Sequence, residues 1–414
     1  MTAERGADPP ARRLDLVTLA PPLAFGAAVF APMLANRFWR DDHGWVARAM
    51  TALREPGAFL EVAKTDFRPL PALSFMANVL MFGLAPAGYY ATNLLLHLAC
   101  VALVTALAWR LSSGDRAVAW IAGLLFAGGF GHYGEAVIWI SGRTGLIADL
   151  FVLASVLAFD AHLLSARRRD AALAALFALL ALLAKESAAV LPLLLVLVAW
   201  TRVGETAAAW RRARAPIVAV TLLVAAHGAL VFGALRRGSG IVGGDYALGP
   251  HVVRNLLEYL ARLFLPVTPS SIMVAVPAPL AGALRAVQVV LMVAVPVAGL
   301  ALLAARVPRA AKFGVLWAPA ALAPYLLLTF RTITRYLYLP SAGVAVAIGA
   351  LAVTDYCTAR ARRWGYLGLA AVLLLEAATV QFVIVQRRRE QLAQDPAEMQ
   401  ALVEHARALG FVRR

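Results

Sequence analysis

The chain has 414 residues, of which 62% are hydrophobic and 15% are charged, and its mean hydropathy is +0.75. Because soluble globular proteins are roughly 45–50% apolar, this composition excludes an ordinary soluble domain and indicates a polytopic membrane protein. The net charge of +16 does not indicate nucleic-acid binding, since the basic residues form short clusters between apolar runs. Cys100 and Cys357 both lie in apolar segments, so we predict no disulfide framework.

The first apolar run, residues 14–35, is close to the ~20 residues that a helix needs to cross a bilayer. Arg12 and Arg13 precede it as in a secretory signal, but the run is too long for a signal core, so we expect an uncleaved first span. Asp41 and Asp42 follow directly. Carboxylates so near hydrocarbon are typical of sites that serve a cation, a proton transfer or a nearby arginine. An ordinary solvated loop is the alternative.

Apolar runs and basic clusters alternate along the rest of the chain, as the positive-inside tendency requires. The further single spans are predicted at residues 89–109, 117–130, 146–164, 216–235, 280–305, 313–330, 336–353 and 364–385. Residues 171–200 would make a helix roughly 45 Å long, too long for a hydrocarbon core of about 30 Å. We therefore predict two short crossings there, with Lys185 and Glu186 at the outer turn, and about eleven spans in all.

Three stretches are predicted to lie at the membrane surface. Residues 46–71 form a loop of amphipathic pieces, residues 73–84 a re-entrant or interfacial helix, and residues 252–265 an amphipathic helix. Two basic groups, Arg331 with Arg335 and residues 387–389, fall on the predicted outer side. They indicate contact with lipid phosphate or a bound anion, and a misassigned topology is the alternative.

Five motifs occur in an order that resembles a known family. They are Asp41-Asp42; Phe67-Arg68-Pro69-Leu70 with Tyr90-Ala91-Thr92-Asn93-Leu94-Leu95-Leu96-His97; Gly134-Glu135-Ala136-Val137-Ile138-Trp139-Ile140-Ser141-Gly142-Arg143; Ala184-Lys185-Glu186-Ser187 before Leu191-Pro192-Leu193; and Arg335-Tyr336-Leu337-Tyr338-Leu339-Pro340-Ser341. Together they resemble the membrane glycosyltransferases of the C-type fold, which use polyprenyl-phosphate sugars, and above all the transmembrane, tetratricopeptide-bearing O-mannosyltransferases and their bacterial relatives. The chain departs from them where Gly131-His132-Tyr133-Gly134 replaces a His-Pro dipeptide before Glu135.

The resemblance implies an all-α membrane fold with the glycosyltransferase domain in residues 1–386. Residues 387–414 would be a short polar helical tail without a full repeat domain. The resemblance also implies a base in the first outer loop, which we assign to Asp41, with Asp42 orienting it or sharing a divalent cation. Which aspartate is the base stays open at this point.

Positive groups at the predicted outer edge suit a departing phosphate, because arginine grips phosphate in a bidentate manner and lysine acts as a point charge. We assign donor-phosphate binding to Arg335, Lys185 and Arg143, with snorkelling to lipid headgroups as the alternative. Six further residues are predicted to bind substrate or to support the site: Arg68, His132, Glu135, Glu186, Tyr336 and Tyr338. No Cys/His spacing typical of a metal site occurs in the sequence.

The predicted function is transfer of a single sugar, with inversion, from a polyprenyl-phosphate donor to a protein, lipid or glycan acceptor. The active site is expected on the non-cytoplasmic face of a bacterial inner membrane. A transporter or flippase of a lipid-linked amphiphile is the main alternative, because intramembrane charges serve both activities. A catalytically inactive scaffold is a third possibility. A transferase requires the first-loop aspartates, whereas a flippase tolerates their loss.

Overall fold

In the computed structural model, the residues described are 14–59, 68–203, 207–235, 246–265, 278–330, 332–353 and 359–412. Within these ranges the fold is all-α and contains no strand; the only extended pairing found there is an isolated bridge between Tyr246 and Leu328. The predicted all-α class is therefore confirmed. Arg12, Arg13, Phe67, Arg331 and Cys357, which the sequence analysis named, lie outside the described residues.

The helices carry labels in chain order. They are α1 (Leu16–Phe30), α2 (Asp41–Arg54), α3 (Pro69–Phe82), α4 (Pro86–Leu111), α5 (Arg116–Gly128), α6 (Glu135–Ile138), α7 (Arg143–Ser165), α8 (Arg168–Ala184), α9 (Leu191–Val203), α10 (Ala207–Leu235), α11 (His251–Arg262), α12 (Ala278–Ala304), α13 (Arg309–Leu326), α14 (Tyr338–Ala352), α15 (Ala359–Leu392) and α16 (Pro396–Ala408). Short 3-10 turns occupy Ala31–Ala35, Ile140–Gly142, Glu186–Val190 and Thr334–Leu337.

Among the described residues, 7 helical segments are long and apolar enough to cross a membrane. They are Leu16–Ala35, Pro86–Leu111, Ile140–Ser165, Ala209–Val231, Leu280–Ala304, Thr334–Ala352 and Trp364–Leu392. Each overlaps a predicted span, but the predicted count of eleven is not confirmed. The other four predicted crossings form α5, α8, α9 and α13. The first three have 13, 17 and 13 residues, which is short for a full crossing, and α13 begins with charged residues and contains two prolines.

The long run at residues 171–200 breaks where the charges predict it. Helix α8 ends at Ala184, Lys185 has an extended backbone with φ −162° and ψ 140°, and α9 begins at Leu191. Pro192 follows in the first turn of α9, where a missing N–H costs no hydrogen bond. The break leaves Lys185 and Glu186 between two helices, which positions both side chains at the candidate site.

The predicted surface segments are helical where they are described. Helix α2 overlaps the predicted loop of residues 46–71, α3 overlaps the predicted interfacial stretch of residues 73–84, and α11 overlaps the predicted amphipathic helix. In α11 the charge spacing forms an i,i+4 ion pair between Glu258 and Arg262 at 2.8 Å. Helix α16 lies within the predicted tail and begins after Asp395, whose carboxylate accepts a hydrogen bond from the Ala397 N–H.

Close packing of helices builds the core beneath the site. Helix α7 packs along α8, and α13 packs along α14. Gly314 of α13 lies so close to the Gly343 carbonyl of α14 that a Cβ at residue 314 would clash with it. His97 of α4 bonds to the hydroxyl of Tyr338 of α14 at 2.7 Å, as expected for a polar residue between helices. The cavity of the candidate site is lined by the first turns of α2 and α7 and by the turns that precede α9 and α14.

Candidate active site

One cavity of about 270 Å³ collects charged groups from five distant segments of the chain. The predicted site residues that line it are Asp41, Arg68, Lys185, Glu186, Arg335 and Tyr336. The predicted residues that are not part of its lining are Asp42, Arg143, His132, Glu135 and Tyr338. The structure thus brings six of the eleven candidates to one cavity, and it places the other five in the surrounding protein.

The two adjacent aspartates have different surroundings. Asp41 is exposed toward the cavity and begins α2, where the helix dipole favours a negative charge. Asp42 is fully buried. Its Oδ1 accepts hydrogen bonds from the N–H and hydroxyl of Ser141 at 2.9 and 2.5 Å, and its Oδ2 accepts one from the N–H of Trp39 at 2.9 Å. Asp42 therefore anchors the loop, and Asp41 is left to face the cavity.

The pKa of Asp42 alone does not make it the base. Burial raises this pKa to about 7, although the hydrogen bonds from Ser141 and Trp39 lower it. A pKa near 7 suits a general base, but a base must also reach the proton that it removes. Because Asp42 has no access to the cavity and both its oxygens hold N–H groups, geometry favours Asp41.

The backbone that presents these aspartates is strained. Arg40, the residue before Asp41, has φ 50° and ψ −119°, a conformation that non-glycine residues rarely adopt. Its guanidinium lies over the ring of Trp39 at 4.2 Å from the centroid. This conformation immediately precedes the first turn of α2, which lines the cavity.

Aromatic rings hold two of the three described cations that line the cavity, Lys185 and Arg335. The Nζ of Lys185 lies 4.8 and 5.4 Å from the ring centroids of Tyr336 and Tyr325, which stack on each other at 4.1 Å. The guanidinium of Arg335 lies 4.9 Å from the ring of Trp139. Cation–π contacts position a charge without neutralising it, so both groups stay able to attract an anion. Burial lowers the pKa of the Lys185 ammonium.

Arg68 and Glu186 form a bidentate ion pair in the same wall. The Nη2 of Arg68 lies 2.9 Å from Oε1 of Glu186, and its Nε lies 3.1 Å from Oε2. Burial alone would raise the pKa of Glu186, but the guanidinium of Arg68 and the ammonium of Lys185 hold it below its usual value. The pair joins the start of α3 to the break between α8 and α9, 118 residues away.

Arg143 has a structural position behind the cavity. It is 0% exposed; its Nε donates to Asn93 Oδ1 at 2.9 Å and its Nη2 to the Tyr89 carbonyl at 2.8 Å. Its guanidinium also lies over the ring of Phe75 at 4.6 Å. The neighbours Gly142 and Thr144 do line the cavity. Arg143 thus lies beside the cavity-lining residues, but its side chain points into the protein and supports the cavity wall.

The remaining three candidates also lie outside the cavity wall. His132 is buried, and its Nδ1 accepts from the Gly134 N–H while its Nε2 donates to the Phe126 carbonyl, which requires the neutral ring. Burial lowers its pKa to about 4, in agreement with that tautomer. Tyr338 is buried against His97, and Glu135 is half-buried at the start of α6.

Two of the residues that line the cavity were given no functional role by the sequence motifs. Asp149 lies on α7, and Trp139 precedes the 3-10 turn; the indole N–H of Trp139 has no hydrogen-bond partner among the described residues. An acidic residue inside an apolar span is a signal for a functional site, so Asp149 could have been found from the sequence. Trp139 could not, because its direction depends on the fold.

The basic group at residues 387–389 contacts the first loop. The guanidinium of Arg387 lies over the ring of Trp39 at 3.4 Å, and Arg388 donates to Asn36 Oδ1 at 3.1 Å. Gln391 accepts a hydrogen bond from the Arg37 N–H at 2.9 Å. The end of α15 thus holds the segment that carries Asp41, which is a structural use for this charge cluster.

The described residues contain no group of three or more His, Cys, Asp or Glu side chains that could hold a metal ion. The possible divalent cation at Asp41 and Asp42 also lacks a shared site, because one carboxylate faces the cavity and the other faces Ser141. The charged groups that share the cavity include the Asp41 carboxylate, the Lys185 ammonium and the Arg335 guanidinium.

Comparisons with known proteins agree with the motifs. No family model matches the chain. It is 34% identical over 163 residues, 39% of its length, to the protein O-mannosyl-transferase Tmtc1 of Drosophila melanogaster. It is 41% identical over 97 residues, 23% of its length, to the protein O-mannosyl-transferase TMTC2 of Homo sapiens. These matches cover 17% and 11% of the two relatives, so the matched part spans less than a fifth of either.

The fold comparison extends over most of the chain. The structure superimposes on the crystal structure of ArnT from Cupriavidus metallidurans bound to undecaprenyl phosphate with a TM-score of 0.52 and 14% identity, covering 93% of this chain and 78% of that one. The resemblance to the C-type membrane glycosyltransferases is confirmed. At this identity the ArnT likeness concerns the fold, and the similarity to the O-mannosyltransferases comes from the aligned sequence.

Proposed function

We propose that the chain transfers a single sugar, with inversion, from a polyprenyl-phosphate donor to an acceptor on the non-cytoplasmic side of the membrane. The observation that supports this most directly is the shared cavity of Asp41, Lys185 and Arg335. A carboxylate that can take a proton and two cations that can hold a phosphate are the groups that this reaction needs.

In the proposed reaction, Asp41 removes the proton from the acceptor hydroxyl, and the oxygen attacks the anomeric carbon of the donor sugar. The bond between that carbon and the phosphate oxygen breaks, and the electron pair leaves with the lipid phosphate. Arg335 and Lys185 stabilise the developing negative charge. A single displacement inverts the configuration at the anomeric carbon, and holding both substrates in line contributes much of the rate.

Support for the donor comes from chemistry and from the fold. The cationic wall of Lys185, Arg335 and Arg68 suits the phosphate headgroup, and the related fold of ArnT was crystallised with undecaprenyl phosphate. The names of the sequence relatives make mannose the first sugar to test and a protein hydroxyl the first acceptor. We propose a bacterial inner membrane as the location, with the cavity on its outer face.

The deciding experiment offers radiolabelled polyprenyl-phosphate mannose and a hydroxyl-bearing acceptor peptide to the purified protein, and it measures label on the peptide together with release of the lipid phosphate. We expect Asp41→Asn to lower kcat about 10²- to 10⁴-fold while the protein stays folded. Asp115→Asn, a matched change of an acidic residue at the other end of the bundle, is the control and should keep activity. A flippase reconstituted in liposomes would move the labelled lipid between leaflets whether or not Asp41 is changed to Asn, and it would release no lipid phosphate. That result would reject the transferase.

A further inference from the structure

A second cavity of about 600 Å³ opens at the end of the bundle opposite the candidate active site. Helices α9 and α14 each begin beside the first cavity and end beside the second, where Arg202 and Val353 line the wall. The two cavities are therefore separated by the length of these helices. The reaction proposed above makes no use of the second one.

The wall of this cavity is strongly basic. Arg202, Arg306 and Arg309 line it, and among the described residues of the wall the only acidic one is Asp115. The Oδ1 of Asp115 already accepts hydrogen bonds from the Ala117 and Val118 N–H groups at 2.8 and 3.2 Å, as the N-cap of α5. Within the part of the wall that the structure describes, positive charge is therefore in excess.

The side chain of Arg202 is held by several contacts, unlike the side chain of a flexible surface arginine. Its side chain is 11% exposed, its Nε lies 2.7 Å from Oδ1 of Asp160, and its Nη2 donates to the Arg110 carbonyl at 3.2 Å. The same fully buried Asp160 also pairs with Arg110 at 3.3 Å. One carboxylate thus balances two guanidiniums, so the triad keeps a net positive charge beside the cavity.

The start of α13 adds to this positive potential. Pro308, Arg309 and Ala310 line the cavity, and the N-cap residue Pro308 makes no side-chain capping bond. A helix N-terminus carries a partial positive charge and open N–H groups, which favour a bound anion. Apolar residues, among them Leu111, line the same cavity, so it offers a place for the glycerol part of a lipid as well.

We propose that this cavity binds a phosphate-bearing anion, and that its source is the headgroup of an anionic phospholipid in the adjacent leaflet. Basic pockets between membrane helices suit such headgroups, because charge attraction and apolar contact act together. The inference does not depend on the proposed transferase activity, since it uses none of the residues of the first cavity.

The test is native mass spectrometry of the full-length protein with equal amounts of phosphatidylglycerol and phosphatidylcholine. The variant Arg306→Gln with Arg309→Gln should lower retention of phosphatidylglycerol about 10-fold or more and leave phosphatidylcholine unchanged. The matched control is Arg211→Gln with Arg214→Gln, which removes two exposed arginines of α10 outside the cavity wall. We expect the control to retain nearly all of the phosphatidylglycerol.

A second experiment adds inorganic phosphate and distinguishes a lipid headgroup from free phosphate as the ligand of the cavity. If the phosphate displaces little of the bound phosphatidylglycerol, the lipid headgroup is the ligand. If phosphate alone raises the Tm of the wild type but not of the cavity variant, and no phosphatidylglycerol is retained, the lipid assignment is overturned. Equal losses in the cavity and control variants, or equal retention of the two lipids, would reject the site altogether. Size-exclusion profiles show whether each variant is folded.

Discussion

Oδ1 of Asp42 accepts two hydrogen bonds from Ser141, one from its N–H at 2.9 Å and one from its hydroxyl at 2.5 Å, although the residues are 99 positions apart. This contact joins the loop after the first span to the turn that begins α7. Because Asp41 immediately precedes Asp42 and lines the cavity, the contact also sets the position of the proposed base.

The first prediction concerns the pH dependence of stability. Burial raises the pKa of Asp42 to about 7, whereas an unfolded aspartate has a pKa of about 3.9. At a pH between these two pKa values, Asp42 is protonated in the folded chain and ionised in the unfolded chain. The contribution of Asp42 to the free energy of unfolding therefore falls as pH rises, by about 1.4 kcal/mol per pH unit, and it is flat below about pH 4 and above about pH 7.

The measurement is reversible unfolding of the wild type and Asp42→Asn in detergent at several pH values. Asparagine cannot titrate, so the difference between the two proteins isolates this one group. A wild type and a variant with the same slope between about pH 4 and pH 7 would contradict the buried titration of Asp42.

The second prediction separates Arg143 from Arg335. Arg143→Lys should lower the free energy of unfolding by about 3 kcal/mol, because one ammonium cannot replace the bonds to Asn93 and Tyr89. Arg335→Lys should leave stability nearly unchanged and raise the donor KM about 10-fold, since it alters the proposed phosphate contact. Both variants keep the charge, so each serves as the control for the other. A raised KM with normal stability in Arg143→Lys would show that Arg143 binds the donor.

The third prediction concerns the ion pair of Arg68 and Glu186. Arg68→Gln and Glu186→Gln should each destabilise the protein, and the double variant should lose less than the sum, because neither member of the pair then remains charged opposite a neutral partner. A double-mutant cycle should give a coupling of about 0.5–3 kcal/mol. Strict additivity of the two changes would mean that the pair contributes nothing to the fold.

The fourth prediction concerns the tail helix α16, which packs against α2. Thr51 Oγ1 lies 2.9 Å from Nε2 of His405, and Arg54 donates to the Leu409 carbonyl at 2.9 Å. An isolated helix as short as α2 is only marginally stable, so these contacts help to hold Asp41 in place. Truncation after Asp395 should lower kcat about 10-fold without a matching change in donor KM.

The control for the truncation is Thr51→Ala, which removes one contact of the same interface and should have a smaller effect. Activity assays and thermal unfolding are measured together, so that loss of the fold is distinguished from loss of positioning. A truncated protein with wild-type kcat would show that α16 has no influence on the active site.

Much of the fold was predictable because its signals are local. The length of each apolar run predicted the spans at Leu16–Ala35 and Pro86–Leu111, and the charges at Lys185 and Glu186 predicted the break in a run too long to cross once. The count of spans was less predictable, since short helices such as α5 are shielded by neighbouring helices that the sequence does not locate.

The sequence by itself determined that this is a helical membrane protein, and it identified the segments that carry the candidate chemistry. Only the tertiary structure decided which side chains of those segments meet: Asp41 faces the cavity while Asp42 is buried, and Arg335 lines the wall while Arg143 supports it from behind. The physical reason is that hydrophobicity and charge belong to each short stretch of chain. The direction of a side chain, in contrast, depends on helices that are distant in sequence and pack against it.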